Sequence, residues 1–251
     1  MLKQHWQVTE PFTAVIFDCD GTLSSIEGID YLAKLQGVYA QVAKLTQRAM
    51  STSGLTPELY EQRLAWVKPS RSDVQRLGVE YCHHLMPHVV EVIATLQQFN
   101  KDVYIISAGL RAAVNEVALH LAIPETHVQA VDIFFNDHDA YDHFDLQSPL
   151  IHNQGKQKFV QDIQKNHSQI LYVGDGLNDL AMQPLVTRFV GFGGAFYREH
   201  IANKSDFYIT DYATLLPLAL TKSECDILNA SALSLYQQGL FNLHYWESSS
   251  L

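Results

Sequence analysis

Cysteine is scarce in this 251-residue chain: Cys19, Cys82 and Cys225 are the only three. An odd number with no Cys-x-x-Cys spacing argues against a disulfide framework and fits reduced, non-structural thiols. Long apolar runs are missing too. None approaches the roughly 20 residues that span a bilayer, so no membrane partner is expected. The opening MLKQHWQVTEPF lacks the apolar stretch of a secretory leader. The expected compartment is therefore the cytoplasm, where the Asn-x-Ser sites at Asn166, Asn203 and Asn229 carry no meaning. Positive charge is in deficit, with 17 Lys and Arg against 27 Asp and Glu and a net charge of −10. Phosphate backbones demand clustered Lys and Arg, so no nucleic-acid partner is expected. A small phosphorylated substrate remains compatible, because a local basic site can sit inside an acidic protein. Internal repeats and low-complexity tracts are absent as well.

What is present is an ordinary globular composition, 47% hydrophobic and 18% charged. Short apolar runs read as buried parallel strands at Ala14–Phe17, Val103–Ile106, Ile170–Val173 and Phe189–Phe192, with a weaker one at Phe207–Ile209. Helical patterns lie between them at Val89–Phe99, Leu110–Leu121 and Lys156–Lys165. Strands alternating with helices predict an α/β fold with a doubly wound parallel sheet. The stretch from Ile26 to Met86 breaks the alternation. It has helical periodicity, turn signals at Gly54–Pro57 and Lys68–Ser70, and no convincing strand. It reads as a small helical cap inserted after the first strand. Ile133–Phe135 and Ala140–Tyr141, joined through Asn136–Asp139, read as a hairpin. The expected division is a core of 1–25 and 87–220, a cap of 26–86, and a C-terminal helical extension of 221–251 whose role the sequence does not disclose.

Four pieces of the sequence carry chemistry, three at strand ends and one at a helix start. The first strand opens into Asp18-Cys19-Asp20-Gly21-Thr22. In open α/β sheets the carboxyl ends of the strands line the ligand crevice. A carboxylate there can ligate a hard cation or attack phosphorus to give an aspartyl phosphate. A second carboxylate can protonate the leaving oxygen and then activate water. The second strand ends in Ser107-Ala108-Gly109 ahead of a helix, where a hydroxyl and backbone N–H groups can bind an anion. Lys156 opens a later helix and can neutralise charge in a transition state. The strand at Ile170–Val173 ends in Gly174-Asp175-Gly176-Leu177-Asn178-Asp179, again in acids, of which Asp175 can complete a cation site with Asp18.

In order and chemistry these four pieces resemble the signature motifs of the haloacid dehalogenase superfamily, over roughly Thr13 to Thr210. The resemblance implies a Rossmann-like core and a magnesium ion held by Asp18, Asp20 and Asp175. It makes Asp18 the nucleophile and Asp20 the general acid/base. It gives Ser107, Ala108 and Lys156 to the phosphate, and Asp179 a supporting place. Asp20 favours phosphoryl transfer over dehalogenation, because a halide leaves without a proton.

A narrower resemblance is to the phosphoserine phosphatases. Glu27 follows Asp18 by nine positions, and Arg63 lies in Glu61-Gln62-Arg63-Leu64 before Lys68-Pro69-Ser70. Val190–Gly194, Arg198-Glu199 and Ile209–Asp211 are similar to that family too. The resemblance implies that Glu27 meets the substrate ammonium, Arg63 its carboxylate, and that Asn178 also touches substrate. A zwitterionic amino acid calls for such a pair. Ala108 departs from the usual Ser-Gly-Gly, Gly21 stands where many members have Ser, and the chain runs past the usual family end. Read from the residues alone, Glu27 is equally a helix first-turn acid, and Arg63 equally a surface charge. The expected substrate is thus a small phosphorylated metabolite, O-phosphoserine first. A phosphotransferase to homoserine, a phosphatase for phosphocholine, a sugar phosphate or a methionine-salvage intermediate, and a non-catalytic binding protein remain as alternatives. Cys82, His83, His84 and His88 match no zinc spacing. Trp6, Trp66 and the many tyrosines read as packing. The oligomeric state is not legible.

Overall fold

The computed structural model describes residues 6–50 and 54–249. The first five residues of the stretch read for a leader lie outside these. So do the last two of the C-terminal extension.

Strand β1 (Ala14–Phe17) is buried along its whole length. Four helices follow it: α1 (Gly28–Leu35), α2 (Tyr39–Met50), α3 (Pro57–Val67) and α4 (Arg71–His83). The chain then alternates through α5 (Val89–Gln98), β2 (Asp102–Leu110), α6 (Arg111–His120) and β3 (Val128–Val131). A hairpin of β4 (Ile133–Phe135) and β5 (Tyr141–Phe144) comes next. Beyond it run α7 (Lys156–Gln164), β6 (Ile170–Gly174), α8 (Leu177–Leu180), β7 (Arg188–Phe192), α9 (Glu199–Lys204) and β8 (Phe207–Ile209). The C-terminal part holds α10 (Leu215–Ala219), α11 (Lys222–Cys225) and α12 (Ala230–Ser249).

The main sheet has six strands in the order β3-β2-β1-β6-β7-β8, every pairing parallel. Helices on both faces explain why β1, β6 and β7 are unbroken buried runs rather than alternating ones. The order grows outward from β1 in one direction through β2 and β3. It then restarts beside β1 with β6. That reversal opens a crevice at the carboxyl ends of β1 and β6, where Asp18 and Asp175 follow directly.

The five expected strands are all present. A sixth, β3, was not expected. Its four residues are interrupted by Gln129, and only pairing with β2 makes the segment a strand. Strand β2 also runs further than its apolar core, through Ser107 to Leu110.

The insertion expected between 26 and 86 is helical, with no strand among its described residues. Thr56 caps α3 by accepting from the Leu59 N–H, with Pro57 in the first turn. Ser70 and Asp73 form a capping box on α4. The two crossings between insertion and sheet lie side by side. The Ser25 N–H donates to the His84 carbonyl at 2.9 Å, and the Met86 N–H donates to the Leu23 carbonyl at 2.9 Å. Helix α4 lies against α6 at Gly78, where an added Cβ would come 2.6 Å from Glu116 Cγ and 3.3 Å from Ala113 Cα. The hairpin reaches the same insertion: the Arg71 N–H donates to the Asp139 carbonyl at 2.9 Å, and its Nε to Asp139 Oδ1 at 2.6 Å.

The extension is helical as expected, and the helix continues through Ser249 rather than ending early. It is pinned to the core. Lys101, 3% exposed, donates from Nζ to Glu224 Oε1 at 2.6 Å. Gln238 donates to Asp211 and Asn242 to Thr214.

Candidate active site

Asp18 stands where β1 ends, its own N–H still donating to Val173 of β6 at 3.0 Å. The backbone therefore fixes the carboxylate at the strand mouth. Its Oδ1 accepts from the Cys19 N–H at 2.7 Å and faces Lys156 Nζ at 3.0 Å. Among the described residues no hydrogen bond reaches Oδ2, which is free to act as a nucleophile or ligand. Burial raises the Asp18 pKa well above the ordinary range, the negative charge of Asp179 raises it further, and Lys156 opposes both.

Lys156 is 1% exposed at the start of α7. Burial works against its charge, but Asp179 and Asp18 prevail and raise its pKa, so it remains a cation. Asp179 is wholly spoken for. Its Oδ1 accepts from Lys156 at 2.6 Å and from the Tyr172 hydroxyl at 2.8 Å, and its Oδ2 from the Gly176 N–H at 2.9 Å. It thus orients the lysine. Ser107, 1% exposed, places its Oγ 3.4 Å from Asp20 Oδ2 and accepts from the Gly109 N–H at 3.0 Å. The Ala108 carbonyl accepts from the Tyr60 hydroxyl at 3.0 Å, a link from α3 to the end of β2.

Carboxylate oxygens of Asp18, Asp175 and Asp179 lie within 4.8 Å of one another. All are buried oxygen donors, the set a hard cation prefers. With Asp179 committed to Lys156, Tyr172 and Gly176, Asp18 and Asp175 are the side chains that fit one. The Asp20 carboxylate is outside this group. Asp175 accepts from Thr22 Oγ1 at 3.1 Å and from Arg198 Nη2 at 2.9 Å. Burial pushes its pKa up to about 6 against the pull of Arg198. The cysteine and histidines near Cys82 join no such cluster among the described residues.

Asp20 Oδ1 accepts two bonds, from the Gly28 N–H and from the Tyr81 hydroxyl, each 2.6 Å. Burial raises its pKa, and those two donors hold it down. Asp18, Asp20, Glu27, Arg63, Ser107 and Asp175 border one cavity, with Asn178 on its rim beside Asp179. Glu27 Oε1 and Arg63 Nε are buried there with no hydrogen-bond partner. Arg198 approaches Glu27 only to 3.8 Å. Arg63 is 6% exposed rather than a surface charge, and lies over the Tyr60 ring at 5.6 Å. Burial raises the Glu27 pKa well above the carboxylate range and lowers that of Arg63.

The sequence-expected residues therefore converge, from β1, α1, α3, β2, α7 and β6. Four others were missed as site residues. Thr22, Tyr172 and Arg198 hold the acids, and Tyr81 holds Asp20. Tyr81 shares a buried helix face with Val74 and Leu77, so its spacing signals core. The available signal was its hydroxyl, which must find a partner when buried.

Residues 12–182 match the model of the haloacid dehalogenase-like hydrolase family. The chain is 39% identical over 205 residues to the phosphoserine phosphatase of Mus musculus, covering 81% of this chain and 91% of the mouse protein. It is 35% identical over 215 residues to the chloroplastic phosphoserine phosphatase of Arabidopsis thaliana, covering 84% of this chain and 72% of that one. A phosphoserine phosphohydrolase-like protein from Francisella tularensis shares the fold, with a TM-score of 0.76, 21% identity, and coverage of 83% of this chain and 100% of its own. No helix among the described residues is long and apolar enough to cross a membrane. The chain belongs to the haloacid dehalogenase-like hydrolases and is a phosphatase similar to the phosphoserine phosphatases.

Proposed function

We propose that the chain hydrolyses O-phosphoserine to serine and phosphate with Mg²⁺ as its cofactor. One observation carries this reading. Glu27 Oε1 and Arg63 Nε are buried without a hydrogen-bond partner, and both residues line the cavity that holds Asp18 and Ser107. An unpaired buried polar atom costs about 1–3 kcal/mol. A carboxylate and a guanidinium left open beside a phosphate site match the ammonium and carboxylate of an amino acid. The names of the mouse and Arabidopsis relatives agree.

In this reading Asp18 Oδ2 attacks phosphorus and Asp20 gives its proton to the ester oxygen. Ser107, the Ala108 N–H and Lys156 hold the phosphoryl oxygens, and Asn178 contacts substrate. Asp179 keeps Lys156 aimed. Asp18, the main chain of Asp20 and Asp175 hold the cation, which when bound offsets the charge of the phosphoryl group. An all-oxygen donor set suits a hard cation such as magnesium. Residues 26–86 form the cap, 1–25 and 87–220 the core, and 221–251 a helical extension. A net charge of −10 supports a small-molecule partner over nucleic acid. Three free cysteines support the cytoplasm.

The test is a ratio of kcat/KM for phosphoserine over para-nitrophenyl phosphate, in wild type, Glu27→Gln and Arg63→Ala. A charge-assisted contact is worth about 1.5–3 kcal/mol, so each variant should lower the ratio about ten- to a hundredfold. The aryl substrate carries neither group and should be hydrolysed as before. A constant ratio, or a wild type indifferent to phosphoserine, defeats the amino-acid reading and leaves the phosphatase.

A further inference from the structure

The hydrogen bonding of Asp20 is lopsided. Both strong donors, the Gly28 N–H and the Tyr81 hydroxyl, meet Oδ1 at 2.6 Å. Oδ2 has only Ser107 Oγ at 3.4 Å, on the phosphate side. Two donors on one oxygen of a carboxyl leave its proton to the other. The carboxyl is also kept from turning, since rotation would break two short bonds.

We infer that Tyr81 is a positioning residue for proton transfer: from cap helix α4 its hydroxyl fixes Oδ1 of Asp20 and so presents Oδ2 to the leaving oxygen. Three further observations support this. Tyr81 is 0% exposed, and its ring packs in the same core as Val74 and Leu77 of its own helix, so the hydroxyl has little freedom. Gly28 leaves the room for it, because a Cβ there would fall on the Tyr81 hydroxyl. And α1 and α4 both belong to the inserted helices, while Asp20 follows β1. The acid is thus oriented by the cap rather than by the sheet that orients the nucleophile, and Asp20 reaches its working geometry only with the cap seated.

This rests on Asp20 as the acid of the proposed reaction. In the first step an Asp18 oxygen forms a bond to phosphorus. The ester P–O bond breaks with its electron pair on the ester oxygen, which takes the proton from Asp20 Oδ2. In the second step Asp20, now a carboxylate, takes a proton from water. The water oxygen bonds to phosphorus, the P–O bond to Asp18 breaks, and phosphate leaves.

Tyr81→Phe deletes the hydroxyl and keeps the ring. The measurement is kcat/KM, which covers steps only through departure of the leaving group. Para-nitrophenolate leaves with little need of a proton, whereas the serine alkoxide needs one. Tyr81→Phe should lose about ten- to a hundredfold on phosphoserine and less than about twofold on para-nitrophenyl phosphate. Gly28→Ala, which displaces the hydroxyl, should show the same selectivity. In an Asp20→Asn background Tyr81→Phe should cost nothing more, because the group it positions is gone. An equal loss on both substrates, no loss on phosphoserine, or an undiminished loss in the Asp20→Asn background overturns the inference. Two controls separate it from what it rests on. If Asp20→Asn itself fails to discriminate between the leaving groups, Asp20 is not the acid and the inference falls with it. If wild type ignores phosphoserine, only the substrate reading fails, and the comparison is made with an alkyl phosphate that the wild type accepts.

Discussion

Asp18 and Asp20 are two residues apart, yet their surroundings divide the labour between them. Asp18 meets a lysine and faces Asp175. Asp20 meets a phenol and a backbone N–H. Replacing Asp18 with Asn removes the nucleophilic oxygen and one charge from the cation site while keeping the volume. Hydrolysis of every phosphate ester, aryl included, should fall to background, unlike the selective loss expected when Tyr81 is altered. Measurable turnover of para-nitrophenyl phosphate by Asp18→Asn would remove it as the nucleophile. The motif that holds both acids was legible because it follows an apolar run. Tyr81 and Thr22 were not, because nothing in their spacing distinguishes them from packing.

Helix α4 links insertion and core twice, through Tyr81 on Asp20 and through Gly78 against α6. Glycine inside a helix costs about 1 kcal/mol relative to alanine, and here it allows the two helices their close approach. Gly78→Leu should force them apart. Overpacking of this kind costs about 1–3 kcal/mol, to be read as a lower denaturant midpoint with an unchanged slope. Hydrolysis of phosphoserine should fall more than that of the aryl ester, because α4 carries Tyr81. Unaltered stability would show that the seam is looser than its geometry. That this segment is helical was readable from its periodicity. Its contact with α6 was not, because Gly78 to Ala113 is a long-range juxtaposition that leaves no local pattern.

At the scale of the molecule, one site gathers more acid than cation: Asp18, Asp20, Glu27, Asp175 and Asp179 against Arg63, Lys156 and Arg198. Burial is the main cause that raises the pKa values of Asp18, Asp20, Glu27 and Asp175 together. For Asp175 the rise is from 3.8 to about 6. Between those values the folded protein binds more protons than the unfolded chain, so stability falls as pH rises. This is the reverse of a salt-bridged carboxylate. In the presence of a chelator the thermal midpoint should be higher at pH 5 than at pH 7. Added magnesium should raise the pH 7 midpoint and shrink the difference, since it binds the folded form. Asp175→Asn should flatten the slope. A midpoint that climbs from pH 5 to pH 7 without metal would contradict this account.

The sequence by itself determined the α/β class, five of the six strands, the helical insertion, and the placing of Asp18, Asp20 and Asp175 at strand ends and of Lys156 at a helix start. These are local signals: apolar runs too short for helices, each stopped by a charged or glycine-rich turn. Tertiary structure alone decided the rest. Strand β3 exists through pairing with β2. Arg63, equally plausible in sequence as a surface charge, is buried because α3 folds over the sheet. Asp179 is bonded by Lys156, which lies 23 residues earlier in the chain. Tyr81 meets Asp20 from 61 residues away. Partners so distant are set by how helices pack on a sheet, and a hydroxyl or guanidinium reads the same in sequence whether it ends in solvent or against a carboxylate.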